Sequence, residues 1–414
     1  MSLRSLVLVV LIIGGAALGP VAAQNLLVTN ARVITMAGDD LPQGNVLIKD
    51  GKVVAVGVDV SAPGVPTLDA KGKVVMPGFV LADTQGGLSR PNEMMPITPY
   101  VSVLDAIDAG KPFFEDSLRD GHLTLCIMPG DRAAIAGVGR VVRPWGLTVE
   151  SMTIDKDPGM RMSMAPTAGN RAAWIARIRA SFEDARRHLE KKKRGEQKPG
   201  EKTGTLTLDL KAMGVEKRRV AMSRMLEGEL QAWVNCATAG DVVQALRLAK
   251  EFGLKMKLVL GPGTWRAADL VKKSGLPVIL KASVILRETD PDSGKEVERN
   301  LAKILHDKGV KFAITTDTTT FGRRYLWYQA ACLVRYGLPR QDALAAITTT
   351  PAKIIGLGDR KGSLAKDKDG DLLVFTSDPL SGRAWVDQAV IGGRIVYERK
   401  NDPRLAEIFG NGAK

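Results

Sequence analysis

Five short apolar runs, spaced along the middle of the chain, constrain its fold more than any other feature. They are Leu123-Thr-Leu-Cys-Ile-Met, Ala232-Trp-Val-Asn-Cys, Met256-Lys-Leu-Val-Leu, Leu276-Pro-Val-Ile-Leu and Val310-Lys-Phe-Ala-Ile. A strand with one wet face alternates polar and apolar residues, whereas a near-continuous apolar run is covered on both faces. Amphipathic segments follow several of these runs. In Asp241-Val-Val-Gln-Ala-Leu-Arg-Leu-Ala-Lys-Glu-Phe-Gly the apolar residues recur at helical spacing, and Gly253 suits the left-handed position that ends a helix. Buried strands alternating with helices predict an α/β fold with a parallel sheet, open or closed.

The two ends read differently. Asn25-Leu-Leu-Val-Thr-Asn-Ala-Arg-Val-Ile, Gly44-Asn-Val-Leu-Ile-Lys and Lys52-Val-Val-Ala-Val are strand text, with Asp50-Gly51 as a two-residue hairpin turn. Asp371-Leu-Leu-Val-Phe, Val386-Asp-Gln-Ala-Val-Ile and Arg394-Ile-Val-Tyr mirror them, with Gly392-Gly393 as another turn. Trp174 to Glu190 reads as a helix running into the basic segment 191–202. Gly, Pro and Glu interrupt that charge, which favours a solvated helix end over a polyanion-binding arm.

Ahead of all this, Arg4 and the apolar run Leu6 to Leu18 lead to Pro20-Val-Ala-Ala23. That is the layout of a secretory leader cut after Ala23, and the run is shorter than the roughly 20 residues a membrane span needs. The expectation is export to the periplasm or the medium, with no transmembrane span after cleavage. Hydrophobic content of 45% and charged content of 25% exclude disorder. Three cysteines, Cys126, Cys236 and Cys332, are too few for a disulfide scaffold and read as buried thiols. A formal net charge of +14 suits an anionic envelope surface. With 5% aromatic residues there is no stacking platform, so no nucleic-acid partner is expected.

Val74-Val-Met-Pro-Gly-Phe-Val-Leu-Ala-Asp-Thr-Gln-Gly-Gly resembles the first barrel strand of the amidohydrolase superfamily, where Pro-Gly-Phe leads into His-x-His. Ala343-Leu-Ala-Ala-Ile-Thr-Thr-Thr-Pro-Ala-Lys and Lys361-Gly-Ser-Leu-Ala-Lys-Asp-Lys-Asp-Gly-Asp resemble the same family's closing text. Gly159-Met-Arg-Met-Ser-Met-Ala-Pro-Thr-Ala-Gly and Gly240-Asp-Val-Val-Gln-Ala-Leu are similar to its imidazolonepropionase-like branch. The resemblance implies a (β/α)8 TIM-like barrel beside a small β-sandwich formed from both chain ends. The corresponding division is 1–23 leader, 24–76 first sandwich part, 77–357 barrel and 358–414 second sandwich part.

It also implies a site at the C-terminal mouth of the barrel. The paired-histidine positions read Asp83 and Gln85, a third histidine position reads Asn235, and the last-strand acid is Asp317. Zinc prefers imidazole or thiolate donors, so a catalytic zinc is not expected. The three histidines, His122, His188 and His306, lie away from the mouth positions and read as surface residues. Three routes to chemistry stay open. Asp83, Gln85, Asn235 and Asp317 could hold a hard divalent cation through oxygen, or simply hydrogen-bond to neighbours. Cys236 could be a nucleophile, although no histidine is near it in sequence. Asp317 and Lys281 could form an acid–base couple, or a structural salt bridge.

The expected function is an exported, non-catalytic or strongly altered homologue binding a small polar ligand or a protein partner at the barrel mouth. The alternative is a hydrolase of non-peptide carbon–nitrogen bonds using an unconventional ion or none. N-terminal sequencing of protein from an envelope fraction is expected to begin at Gln24; a soluble pool retaining Met1 would defeat the export reading.

Overall fold

The computed structural model describes residues 24–196, 210–316 and 324–409. The expected leader and its cleavage point, the basic segment beyond Glu196, and Asp317 lie outside the described residues. Among the described residues no helix is long and apolar enough to cross a membrane.

The two chain ends meet in one eight-stranded sheet. Its middle strand, Val74–Pro77, pairs in parallel with Leu26–Val33 and antiparallel with Leu372–Phe375. Both turns behave as the sequence requires, with positive φ at Asp50, Gly51, Gly392 and Gly393. Side chains then alternate between two interiors. Val75, Leu372 and Val374 face a core private to this sheet, while Val74, Met76, Leu373 and Phe375 face the larger core of the molecule. The two expected sandwich layers are one curled sheet. Val53 N–H donates to the Lys368 carbonyl at 2.8 Å, which folds the outer hairpin back onto the chain just before Leu372.

The middle of the chain forms a TIM-barrel-like frame. Phe79–Thr84 pairs in parallel with His122–Ile127. Met160–Ser163, Ala232–Thr238, Met256–Gly263, Val278–Leu280 and Phe312–Ile314 form a second parallel ladder. Among the described residues the ladders do not close into a full circle. On one side only Gly139 separates Ile135–Val138, in the second ladder, from Arg140–Val142, in the first. On the other, Ile314 N–H donates to Ala346 and Val80 N–H to Ile347, so a short segment joins the two.

Alternate residues sort to opposite sides of these strands, as the strand period demands. Val80, Cys126, Trp233, Val259, Ile279 and Ala313 form one buried cluster from six strands. Their neighbours Leu81, Leu125, Val234, Leu258, Leu280 and Ile314 belong to the core shared with the helices. Helix Ala239–Phe252 ends at Gly253, with φ of 68°, as its sequence pattern predicts. Helix Arg171–Lys193 covers the stretch expected from Trp174 to Glu190 and runs three residues further.

Two burial expectations need correction. Cys332, on helix Leu326–Arg335, is half-buried, whereas Cys126 and Cys236 are buried. His122 is not a surface residue. It opens strand His122–Ile127 at 3% exposure, and its Nε2 has no hydrogen-bond partner. Strand pairing with Phe79 carries it under cover.

Burial, with the nearby Arg324 cation adding to it, pulls the His122 imidazole down from 6.5 to about 3. A histidine held neutral in the fold but free to protonate when unfolded costs stability as pH falls below its unfolded pKa. Wild type is therefore expected to lose about 1.4 kcal/mol per pH unit more than His122→Gln between roughly pH 6 and 4. Parallel stability curves from denaturant melts across that range would refute this.

Candidate functional site at the barrel mouth

A cleft of about 330 Å³ opens where the C-terminal ends of several strands converge, lined by Asp83, Gln85, Asp131, Arg161, Lys281 and Thr315, among others. Three of the five residues singled out from sequence, Asp83, Gln85 and Lys281, stand on its wall. Asp317 lies outside the described residues, although Thr315 and Thr316 just before it line the cleft. Asn235 does not join them. It is buried on its strand, donating to Ser163 Oγ at 3.1 Å, and its Oδ1 has no partner.

Asp83 and Gln85 are placed by the end of the first barrel strand and the turn after it. Gly86 and Gly87 let that turn lie against helix Pro112–Arg119: a Cβ on Gly86 would come within 2.1 Å of the Phe113 ring. Thr84 Oγ1 accepts the Gly86 N–H at 3.0 Å and fixes the turn from within. Asp83 itself is buried, and its carboxylate is ion-paired with Arg161. Its carbonyl accepts the Thr315 hydroxyl, which ties the first strand to the end of the last one.

Arg161 projects from strand Met160–Ser163 and is 1% exposed. Its Nε donates to the Pro129 carbonyl at 3.2 Å while its other end meets Asp83. Asp131 follows the strand His122–Ile127 on a loop clamped from outside. Gly130 N–H donates to Pro91, and Arg132 N–H donates to Asn92 Oδ1 at 3.1 Å. Lys281 Nζ lies 2.5 Å from Asp131 Oδ2, and each side chain is about a third exposed, at 37% and 31%. Lys281 is the largest influence holding the Asp131 carboxyl below its ordinary value, against the opposing pull of burial. The Lys281 partner in the described structure is thus Asp131, a residue the sequence analysis passed over.

Arg161 was also passed over, and both had a legible signal. Arg161 is a lone cation between two methionines in a strand of apolar character, a position that demands a buried partner. Asp131 stands in Pro-Gly-Asp just after a strand, where barrel sites gather.

A family-type zinc centre does not fit this donor set. Among the described residues no imidazole or thiol lines the cleft, and no three His, Cys, Asp or Glu side chains converge. His188 lies on helix Arg171–Lys193, and His306 Nε2 meets Asp342 at 3.0 Å on the outside of the barrel. Burial pushes the Cys126 and Cys236 thiols well up, keeping them protonated and poor as ligands or nucleophiles. Each described carboxylate of the cleft already faces a cation of this chain. An incoming dication would therefore have to displace a guanidinium or an ammonium to reach either of these two carboxylates.

Comparison with known proteins agrees with this architecture. Residues 241–396 match the amidohydrolase family model. The amidohydrolase tasK of Hapsidospora irregularis is 25% identical over 399 residues, covering 86% of this chain and 40% of that protein. The imidazolonepropionase of Thermoplasma acidophilum is 26% identical over 141 residues, covering 32% of each. The chain thus spans less than half the length of these curated relatives. Among solved structures, an amidohydrolase from Thermotoga maritima MSB8 is 27% identical with a TM-score of 0.79, covering 90% of this chain and 100% of that one. The chain thus carries an amidohydrolase-family domain over residues 241–396, within a TIM-barrel-like α/β fold that has a second domain.

Proposed function

We propose that this chain is an exported superfamily member that has given up metal-assisted hydrolysis and uses its barrel mouth to bind a small polar ligand. One observation carries the reading. The cleft wall is polar without imidazole or thiol, and its solvent-open charges, Lys281 and Asp131, face each other rather than a reaction centre. Metal-assisted hydrolysis needs an ion that brings bound water to a pKa of roughly 7. Amide and hydroxyl oxygens supply no charge to hold such an ion.

What the wall does supply is recognition. Gln85, Ser283 and Thr316 are partly exposed there, offering amide and hydroxyl groups beside an ion pair that can open. A ligand bearing a carboxylate could engage Lys281, and one bearing an ammonium or amide N–H could engage Asp131. A cleft lined mostly by polar side chains can select a ligand by hydrogen bonding. The leader pattern and basic balance support a reading in which this binding takes place outside the cytoplasmic membrane, near an anionic envelope surface.

Protein purified without chelators is expected to carry well under one zinc per chain by elemental analysis. Asp317→Asn is expected to leave the Tm in added zinc nearly unchanged, since no native site is being filled. Stoichiometric zinc that disappears in Asp317→Asn together with hydrolysis of a non-peptide carbon–nitrogen bond would install the enzyme reading instead. Because its ion pair is partly solvated, Lys281→Met is expected to cost no more than about 1 kcal/mol in denaturant melts. A loss several times larger would make that pair structural and remove it from ligand recognition.

A further inference from the structure

We propose that Arg161 is the resident cation of the barrel mouth, occupying against Asp83 the position a divalent ion would need and holding the mouth together in its stead. The inference rests on the metal-free reading above and names the residue responsible.

Both partners are withdrawn from water, with side-chain exposures of 2% for Arg161 and 10% for Asp83. Burying a charge is tolerated only when it is paired and its remaining donors or lone pairs are met. The Arg161–Asp83 contact does this across several elements at once. Arg161 belongs to strand Met160–Ser163, Asp83 to strand Phe79–Thr84, and Pro129 to the loop after His122–Ile127. Thr315, past the last parallel strand, adds a fourth tie through the Asp83 carbonyl. A mouth metal draws strands together by collecting ligands from them; here a guanidinium collects one carboxylate and one carbonyl.

Arginine suits the task better than lysine. Its planar fork donates in two fixed directions, so Nε can serve Pro129 while Nη2 serves Asp83. Ser163 and Asn235, paired in register on its own and the adjacent strand, are neutral. The neighbouring Asp131 is taken by Lys281. A cation arriving at Asp83 therefore meets a neutralised carboxylate and a fixed like charge.

The test is a double-mutant cycle read by thermal unfolding, with and without millimolar manganese chloride, and by manganese EPR. Arg161→Met is expected to lower the Tm by roughly 5 °C, since it strands a buried carboxylate. Asp83→Asn combined with Arg161→Met should lose less than the two single variants added together. Manganese should raise the Tm of Arg161→Met and give a bound-ion EPR signal, while leaving wild type and the double variant unmoved. If Arg161→Met does not fold, Arg161→Lys carries the test. It keeps the charge and should be folded and indifferent to manganese. Additive losses, a manganese-bound wild type, or a manganese-binding Arg161→Lys would each overturn the assignment. The ligand-binding reading of the cleft would stand if the losses proved additive, since zinc content, hydrolysis and the Lys281→Met melt decide it.

Discussion

The guanidinium of Arg161 reaches across the barrel interior to the carboxylate of Asp83, and much of the mouth follows from the cost of burying both. Neither group could sit there alone, because breaking a buried pair by removing one partner costs about 3–5 kcal/mol. The surroundings are arranged to avoid that penalty. Pro129 offers a carbonyl to the guanidinium, and Thr315 closes on the Asp83 backbone. Gln85 and the glycine turn behind it inherit their position from the same strand end.

Below this polar layer the barrel is filled, which leaves the mouth as its open end. Trp233 is fully buried in the interior cluster, with its indole N–H donating to Pro158 at 3.1 Å. Lys257 lies over the face of that indole, 4.6 Å from the ring centroid. Burial pulls the Lys257 ammonium below its usual value. An interior of this kind is a packed core rather than a pore. A ligand entering the cleft meets side chains from strand ends and loops, while the layer beneath belongs to stability.

Much of the frame was legible because period and turn chemistry act locally. The near-continuous apolar runs announce strands covered on both faces, and the clusters on either side of Leu125–Cys126 and Val259–Leu260 are those two faces. Asp50-Gly51, Gly392-Gly393 and Gly253 each occupy the backbone region their residue types favour. The site was legible in part. Asp83, Gln85 and Lys281 come together because strand ends in a barrel converge, but Asn235 points to Ser163, a detail of register between adjacent strands. The pairing of Lys281 with Asp131 crosses 150 residues, and no local pattern encodes it. His122 misled for a similar reason. A polar residue after a glycine looks like a loop until a neighbouring strand covers it.

The shared sheet has a consequence for a chain that grows from one end. Val74–Pro77 finds Leu26–Val33 early, but its other neighbour, Leu372–Phe375, is among the last strands to be synthesised. Until then an apolar strand, Val-Val-Met, shows an unpaired edge of backbone donors and acceptors, a template for pairing with the wrong chain. On the barrel side, Phe79 meets the tilted Phe375 ring, 5.7 Å between centroids, only once the far end has arrived. Nascent chains of this protein carry an unpaired apolar edge near the front for almost the whole of their synthesis.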